Sequence, residues 1–199
     1  MTTTASSPPH VSNTLVAVVL VLWLAAAYAL GASGSTESLR PPVPQVILLA
    51  LTAVTILAGA LLPGLREWWH AVDLRVPAAL HLTRFVGIYF LILWQRGVLP
   101  GVFAEPAGIG DIIVASLCAL LLLFVGRPTT RWRRRAWIAW NALGLLDILF
   151  VVTRAARLSM ADPPSMTALL RMPLSPLLTF LVPLIIATHV LIAARMRRV

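Results

Sequence analysis

The sequence predicts an all-α integral membrane protein: a bundle of six transmembrane helices, with a short interfacial helix near 65–76. Three observations carry this. Of 199 residues, 59% are apolar and 12% charged, and the mean hydropathy is +0.90, outside the balance of a soluble domain. Six runs approach or reach the roughly 18 apolar residues that mark a membrane span. The basic residues are all arginine, with no lysine, and they gather between the runs. A single membrane domain, 1–199, accounts for the sequence, without internal repeats or long linkers.

Residues 1–12 form a polar tail that carries His10 and is expected to be disordered. The first span, about 14–32, reads "TLVAVVLVLWLAAAYALGA" and holds no charge. A signal peptide would need a basic segment before a shorter apolar run; "MTTTASSPPH" has no Lys or Arg, so a retained anchor is expected. The second span, 43–62, stops at the breaker pair Pro63-Gly64. The third, 78–95, contains His81 and Arg84 near its start. The fourth, 110–126, follows the stretch "GVFAEPAGIGD". The fifth, 136–153, contains Asn141 and Asp147, and the sixth, 174–194, contains Pro176, Pro183 and His189.

With six spans, the termini and the second and fourth loops share a side. That side holds Arg66, Arg75, Arg127, Arg131, Arg133, Arg134, Arg135, Arg195, Arg197 and Arg198. The other side holds Arg40, Arg96, Arg154, Arg157 and Arg171. Arginine-rich loops stay cytoplasmic, so both termini are expected in the cytoplasm. The net charge of +9 then describes orientation and contact with anionic lipid head groups. "RWRRRAWIAW" abuts an apolar run, as an interfacial anchor does, and no nucleic-acid partner is expected. In "LREWWHAVDLRV", Leu65, Trp68, Trp69, Val72 and Val76 share one helical face opposite Arg66, Glu67, His70 and Asp73, the pattern of a helix lying in the interface.

Catalytic and metal chemistry find little footing. The single cysteine, Cys118, is expected to pack as a small apolar residue. It offers no disulfide partner and no thiol cluster for a metal. HExxH and GxSxG are absent, so neither a catalytic residue nor a metal site is assigned.

Polar groups inside the spans remain. A charge at the bilayer centre costs about 2.5–3.5 kcal/mol on insertion scales, so such groups face the bundle interior and pair. Arg84, Asn141 and His189 fall in the inner third of spans three, five and six. Asp147 lies deeper, seven residues before Arg154 and on the same helical face as it and Gly144. Arg84, Asn141, Asp147 and His189 thus form the candidate interior site, with Arg154, Arg157 or Arg84 as partners for Asp147. The segment from Leu99 to Asp111 is expected to be a compact outer loop, in which Pro106, Gly108 and Gly110 permit tight backbone re-entry. Asp111 would cap span four, where a carboxylate meets free amides and the positive end of the helix dipole.

"RFVGIYFLILWQRGVLPGVFAEPAGIGD", "WNALGLLDILFVV" and "PLSPLLTFLVPLIIATHVLI" together resemble an uncharacterised family of small bacterial multi-pass membrane proteins. The shared elements are Arg84, Gly87, an LPG…FAxPAGxGD segment ending at Asp111, a WNxxGxxD helix holding Asn141, Gly144 and Asp147, and a final helix with Pro183 and His189. The resemblance covers spans three to six and implies a bacterial cytoplasmic membrane location, but no activity.

Three functions fit these residues. The first is a small-solute or ion-handling protein with the interior polar site, where prolines 176 and 183 would unwind span six. The second is a non-catalytic accessory or assembly subunit, alone, as a homo-oligomer or in a larger membrane complex, whose charges lock helices together. The third is a b-type haem or quinone redox subunit with His81 and His189 as axial ligands, since both lie at similar depth on different spans. No cofactor is otherwise expected.

Overall fold

The computed structural model describes residues 11–197. Six helical segments are long and apolar enough to cross a membrane: Asn13–Ala32, Val43–Leu61, Arg75–Gln95, Gly101–Val125, Arg131–Ala161 and Leu177–Arg197. Among the described residues all regular structure is helical. The α-helices are α1 Asn13–Ala32, α2 Val43–Leu61, α3 Pro63–Ala71, α4 Arg75–Ala79, α5 Gly87–Gln95, α6 Gly101–Leu120, α7 Arg131–Ala161 and α8 Val182–Arg197. The expected tail falls outside the described residues, His10 included, except for Val11 and Ser12. The Ser12 hydroxyl accepts the Leu15 amide and caps α1.

Several boundaries differ from the sequence reading, for physical reasons. The helix expected over 65–76 starts instead at Pro63, the first helical position, where a missing N–H costs nothing. It ends at Ala71, because Val72 turns to an extended conformation. Arg195 closes that end by donating to the Trp69 and Val72 carbonyls at 2.8 and 2.6 Å, as basic side chains do at helix C-termini. Just beyond it, the Arg75 amide and the Arg127 guanidinium hold the Asp73 carboxyl below the usual carboxylate range.

The larger correction concerns "GVFAEPAGIGD", expected as an outer loop. It is helix: α6 begins at Gly101, directly after Pro100, so Pro106, Gly108, Gly110 and Asp111 are all intrahelical. Asp111 lies ten residues past the helix start, roughly 15 Å at about 1.5 Å per residue, and caps nothing. A proline at 106 removes the amide that would bond the Val102 carbonyl; the Arg154 guanidinium from α7 donates to that carbonyl instead. The same device recurs in the last span. Pro183 leaves the Thr179 carbonyl without its usual donor, and the Trp23 indole of α1 donates to it at 2.8 Å. Span six is therefore not unwound. It opens with a wide π turn, Leu177–Leu181, and continues as α8 through Pro183.

Between lipid-exposed helices there is little hydrophobic drive, so close packing and interhelical polar bonds hold the bundle. Span four shows the first. Its buried face runs through Ala104, Ala107, Gly108, Asp111, Ala115 and Cys118, small residues that let α5 and its preceding turn approach closely. One core cluster, including Trp69, Leu74, Trp137, Leu191 and Met196, fills the end that carries the described termini. Another, including Phe90, Leu99, Phe103, Met166 and Leu174, fills the opposite end. The polar groups lie between the two.

Candidate functional site

Span three changes its winding where the polar residues sit. Leu80–Val86 is a 3-10 helix between α4 and α5, and three residues per turn place His81 and Arg84 on one side. Both are buried, Arg84 at 1% exposure.

Arg84 binds three partners on two other helices. Its Nε donates to Asp111 Oδ1 of α6 at 2.6 Å, and its Nη1 donates to the Gly144 carbonyl of α7 at 3.0 Å. Its Nη2 pairs with Asp147 Oδ2, also on α7. The planar fork of a guanidinium is what allows one side chain to satisfy three acceptors in fixed directions. Asp111 is buried, whereas the Asp147 side chain keeps 17% exposure. Both carboxylates depend on one cation: among the described residues neither pairs with a second. The local formal charge is thus −1.

Two glycines make the approach possible. A Cβ at Gly110 would overlap the Asp147 carboxylate, and one at Gly144 would lie 2.6 Å from His189 Cε1. Helix α7 therefore reaches Arg84 across positions that only glycine leaves open.

A second polar group adjoins through Gly144. The Asn141 amide donates to the His189 carbonyl at 3.1 Å, so its oxygen faces His189 Nδ1 at 3.0 Å and accepts from it. The Thr188 hydroxyl donates to the Ile185 carbonyl at 2.9 Å, so its oxygen accepts from His81 Nε2 at 3.1 Å. These bonds fix opposite tautomers. The remaining nitrogens, His81 Nδ1 and His189 Nε2, are buried and meet no protein donor. The two rings touch, centroids 4.1 Å apart and tilted by 52°, and Trp140 packs against both.

That contact disagrees with the haem reading of His81 and His189. Two axial ligands must aim their nitrogens at one iron from opposite faces of a macrocycle, and rings in direct contact leave no room for it. Among the described residues no cluster of three His, Cys, Asp or Glu is placed to hold a metal.

Arg84, Asn141, Asp147 and His189 from the sequence reading thus all line this interior region. Asp147 takes Arg84 as its partner; Arg154 is engaged at Val102 instead. Sequence reasoning missed Asp111 as a partner of Arg84, the Thr188 contact, and Trp140 as a wall. Helical spacing held a signal for Asp111, since positions 104, 107, 108, 111, 115 and 118 share one face.

No curated protein and no solved structure matches this chain. A family model described as a domain of unknown function, DUF8737, matches residues 41–197, which takes in five of the six spans, and the chain belongs to that family.

Proposed function

We propose that this protein handles a small cation, in the simplest case a proton, at the region joining Arg84, Asp111 and Asp147. The observation that carries this reading is the pair of carboxylates sharing one guanidinium within the bundle. An uncompensated charge in low dielectric is costly, so the site gains from taking up one positive charge. Asp147, the more accessible carboxylate, is the residue through which the charge enters and leaves. Asn141 and the two histidines supply neighbouring lone pairs of the kind a proton uses.

The test is reconstitution of the full chain into liposomes, with an internal pH dye and imposed proton, sodium or potassium gradients. Wild type should pass one of these cations, and Asp147→Asn, folded to the same melting temperature, should lose at least tenfold of that flux. Equal flux in the two proteins would overturn the proposal, as would wild type with no flux for any of the three.

A second reading is favoured by the reach of Arg84 across three spans: the charges lock the bundle in an accessory subunit. Under it, Asp147→Asn lowers stability with no cation flux to lose.

The reading also requires an orientation. We place the end with both termini in the cytoplasm, from the ten-to-five arginine asymmetry. Reporter fusions at Ser35 and after Val199 are expected on opposite faces of the membrane; both on one face would refute six crossings with this topology.

A further inference from the structure

A lateral groove of about 790 Å³ opens between α2 and α7, far from the termini, within the roughly 300–1,000 Å³ of ordinary ligand sites. Its walls are apolar: Leu48 and Leu49 of α2, Val151 and Val152 of α7, and Leu178 and Val182 of the last span. Phe90 and Phe103 close its inner side, and the 3-10 segment Pro163–Leu170 borders it. Because α2 and α7 are membrane spans, this wall faces the hydrocarbon of a bilayer. The groove runs from Arg157 to Val151, six residues of α7 or roughly 9 Å of helix, so it extends inward from the polar rim.

The rim has a different chemistry. Arg40, Arg157 and Arg171 stand there with a single acid, Glu37. Arg171 pairs with Glu37 at 3.0 Å. Arg40 spends its guanidinium on the Glu37 and Leu39 carbonyls, which leave its charge uncompensated. Arg157 is exposed and makes no ion pair among the described residues. The formal charge of the rim is +2. Between rim and groove, Gln45 donates to Ser159 Oγ at 2.7 Å, while its own Oε1 is buried without a protein donor.

We propose that this groove is a binding site for one membrane phospholipid with an anionic head group. Its acyl chain lies against Leu48, Val151 and Val182, its phosphate against Arg157 and Arg40, and a head-group hydroxyl donates to Gln45 Oε1. An apolar slot open to lipid, cationic only where it meets the head-group region, complements an amphiphile of this kind. A helix of a second copy would meet the slot but leave the arginines without acid partners. The site is separate from the Arg84 region and does not depend on how that region functions.

The experiment is native mass spectrometry of the full chain, released from nanodiscs holding equal amounts of phosphatidylglycerol and phosphatidylcholine with identical chains. Wild type should retain one phosphatidylglycerol in preference to phosphatidylcholine. Arg157→Gln should lower that preference about fivefold, the effect of one arginine at an anionic surface. Leu49→Trp, at an exposed mouth position, should block retention of either lipid while the protein remains folded. Glycerol phosphate without acyl chains should not compete. Equal retention of the two lipids, an unchanged preference in Arg157→Gln, or full retention in Leu49→Trp would overturn the site. So would displacement by free glycerol phosphate, which would make the rim a phosphate site, and a dimer retained in place of lipid.

Discussion

Replacing Arg84 with alanine should be the most damaging single change in the bundle. It leaves Asp111 and Asp147 without the cation that both pair with and strips the Gly144 carbonyl of a donor. Removing one partner of a buried pair costs about 3–5 kcal/mol, and here two carboxylates lose it together. Asp111→Ala should cost less, because Arg84 keeps Asp147, and Asp147→Ala least, because that side chain is the less buried of the two carboxylates. The double mutant Arg84→Ala/Asp111→Ala should be less impaired than the sum of its parts, since the second change removes a charge that the first left stranded. Arg84→Lys should recover only part of the loss, as a point charge cannot reproduce a three-way fork. Thermal melting in detergent gives these values. Strict additivity, or Asp147→Ala as the worst of the three single changes, would refute the network as drawn.

A membrane sequence exposes some of these features to reading and hides others. Hydropathy alone locates the six crossings, because in hydrocarbon every unsatisfied backbone group is costly and the chain answers with long uninterrupted helices. The same logic brings Arg84, Asn141, Asp147 and His189 to the interior, since lipid offers them nothing. The error lay in "GVFAEPAGIGD". In water, three glycines, a proline and two acids within eleven residues signal a turn. In a bundle the signs invert. Glycine marks where two backbones touch, and Pro106 is tolerated because Arg154 serves the carbonyl it frees. That compensation comes from a residue 52 positions away, which no local pattern reveals. The histidine contact was equally hidden: equal depth on two spans placed His81 and His189 at one level, but only the packing of α8 decides that their rings meet rather than flank a cofactor.

Gly87 and Gly108 hold α5 and α6 closer together than any side chain would allow. A Cβ on Gly87 would lie 2.5 Å from the Gly108 carbonyl oxygen and 2.8 Å from Asp111 Cβ; one on Gly108 would lie 2.7 Å from the Gly87 carbonyl oxygen. Backbone cannot step aside as a side chain can, so α5 and α6 must separate. Gly87→Val and Gly108→Val should each lose about 1–3 kcal/mol to overpacking. They should lose more where the shift carries Asp111 away from Arg84. That second loss is diagnostic: with Asp111→Ala already present, Gly87→Val should cost measurably less than it does in wild type. Gly34 provides the contrast. Its φ of 75° needs a residue that tolerates the left-handed region, but nothing lies within 4 Å of its would-be Cβ, so Gly34→Asn should melt close to wild type. Gly110→Ala tests the other side of the network. Its methyl would take the place of the Asp147 carboxylate and push it off Arg84 without altering a single charge. If a displaced carboxylate is what matters, Gly110→Ala should reproduce the flux loss of Asp147→Asn in liposomes; a Gly110→Ala protein with wild-type melting and wild-type flux would show that the position of Asp147 against Arg84 governs neither stability nor transport.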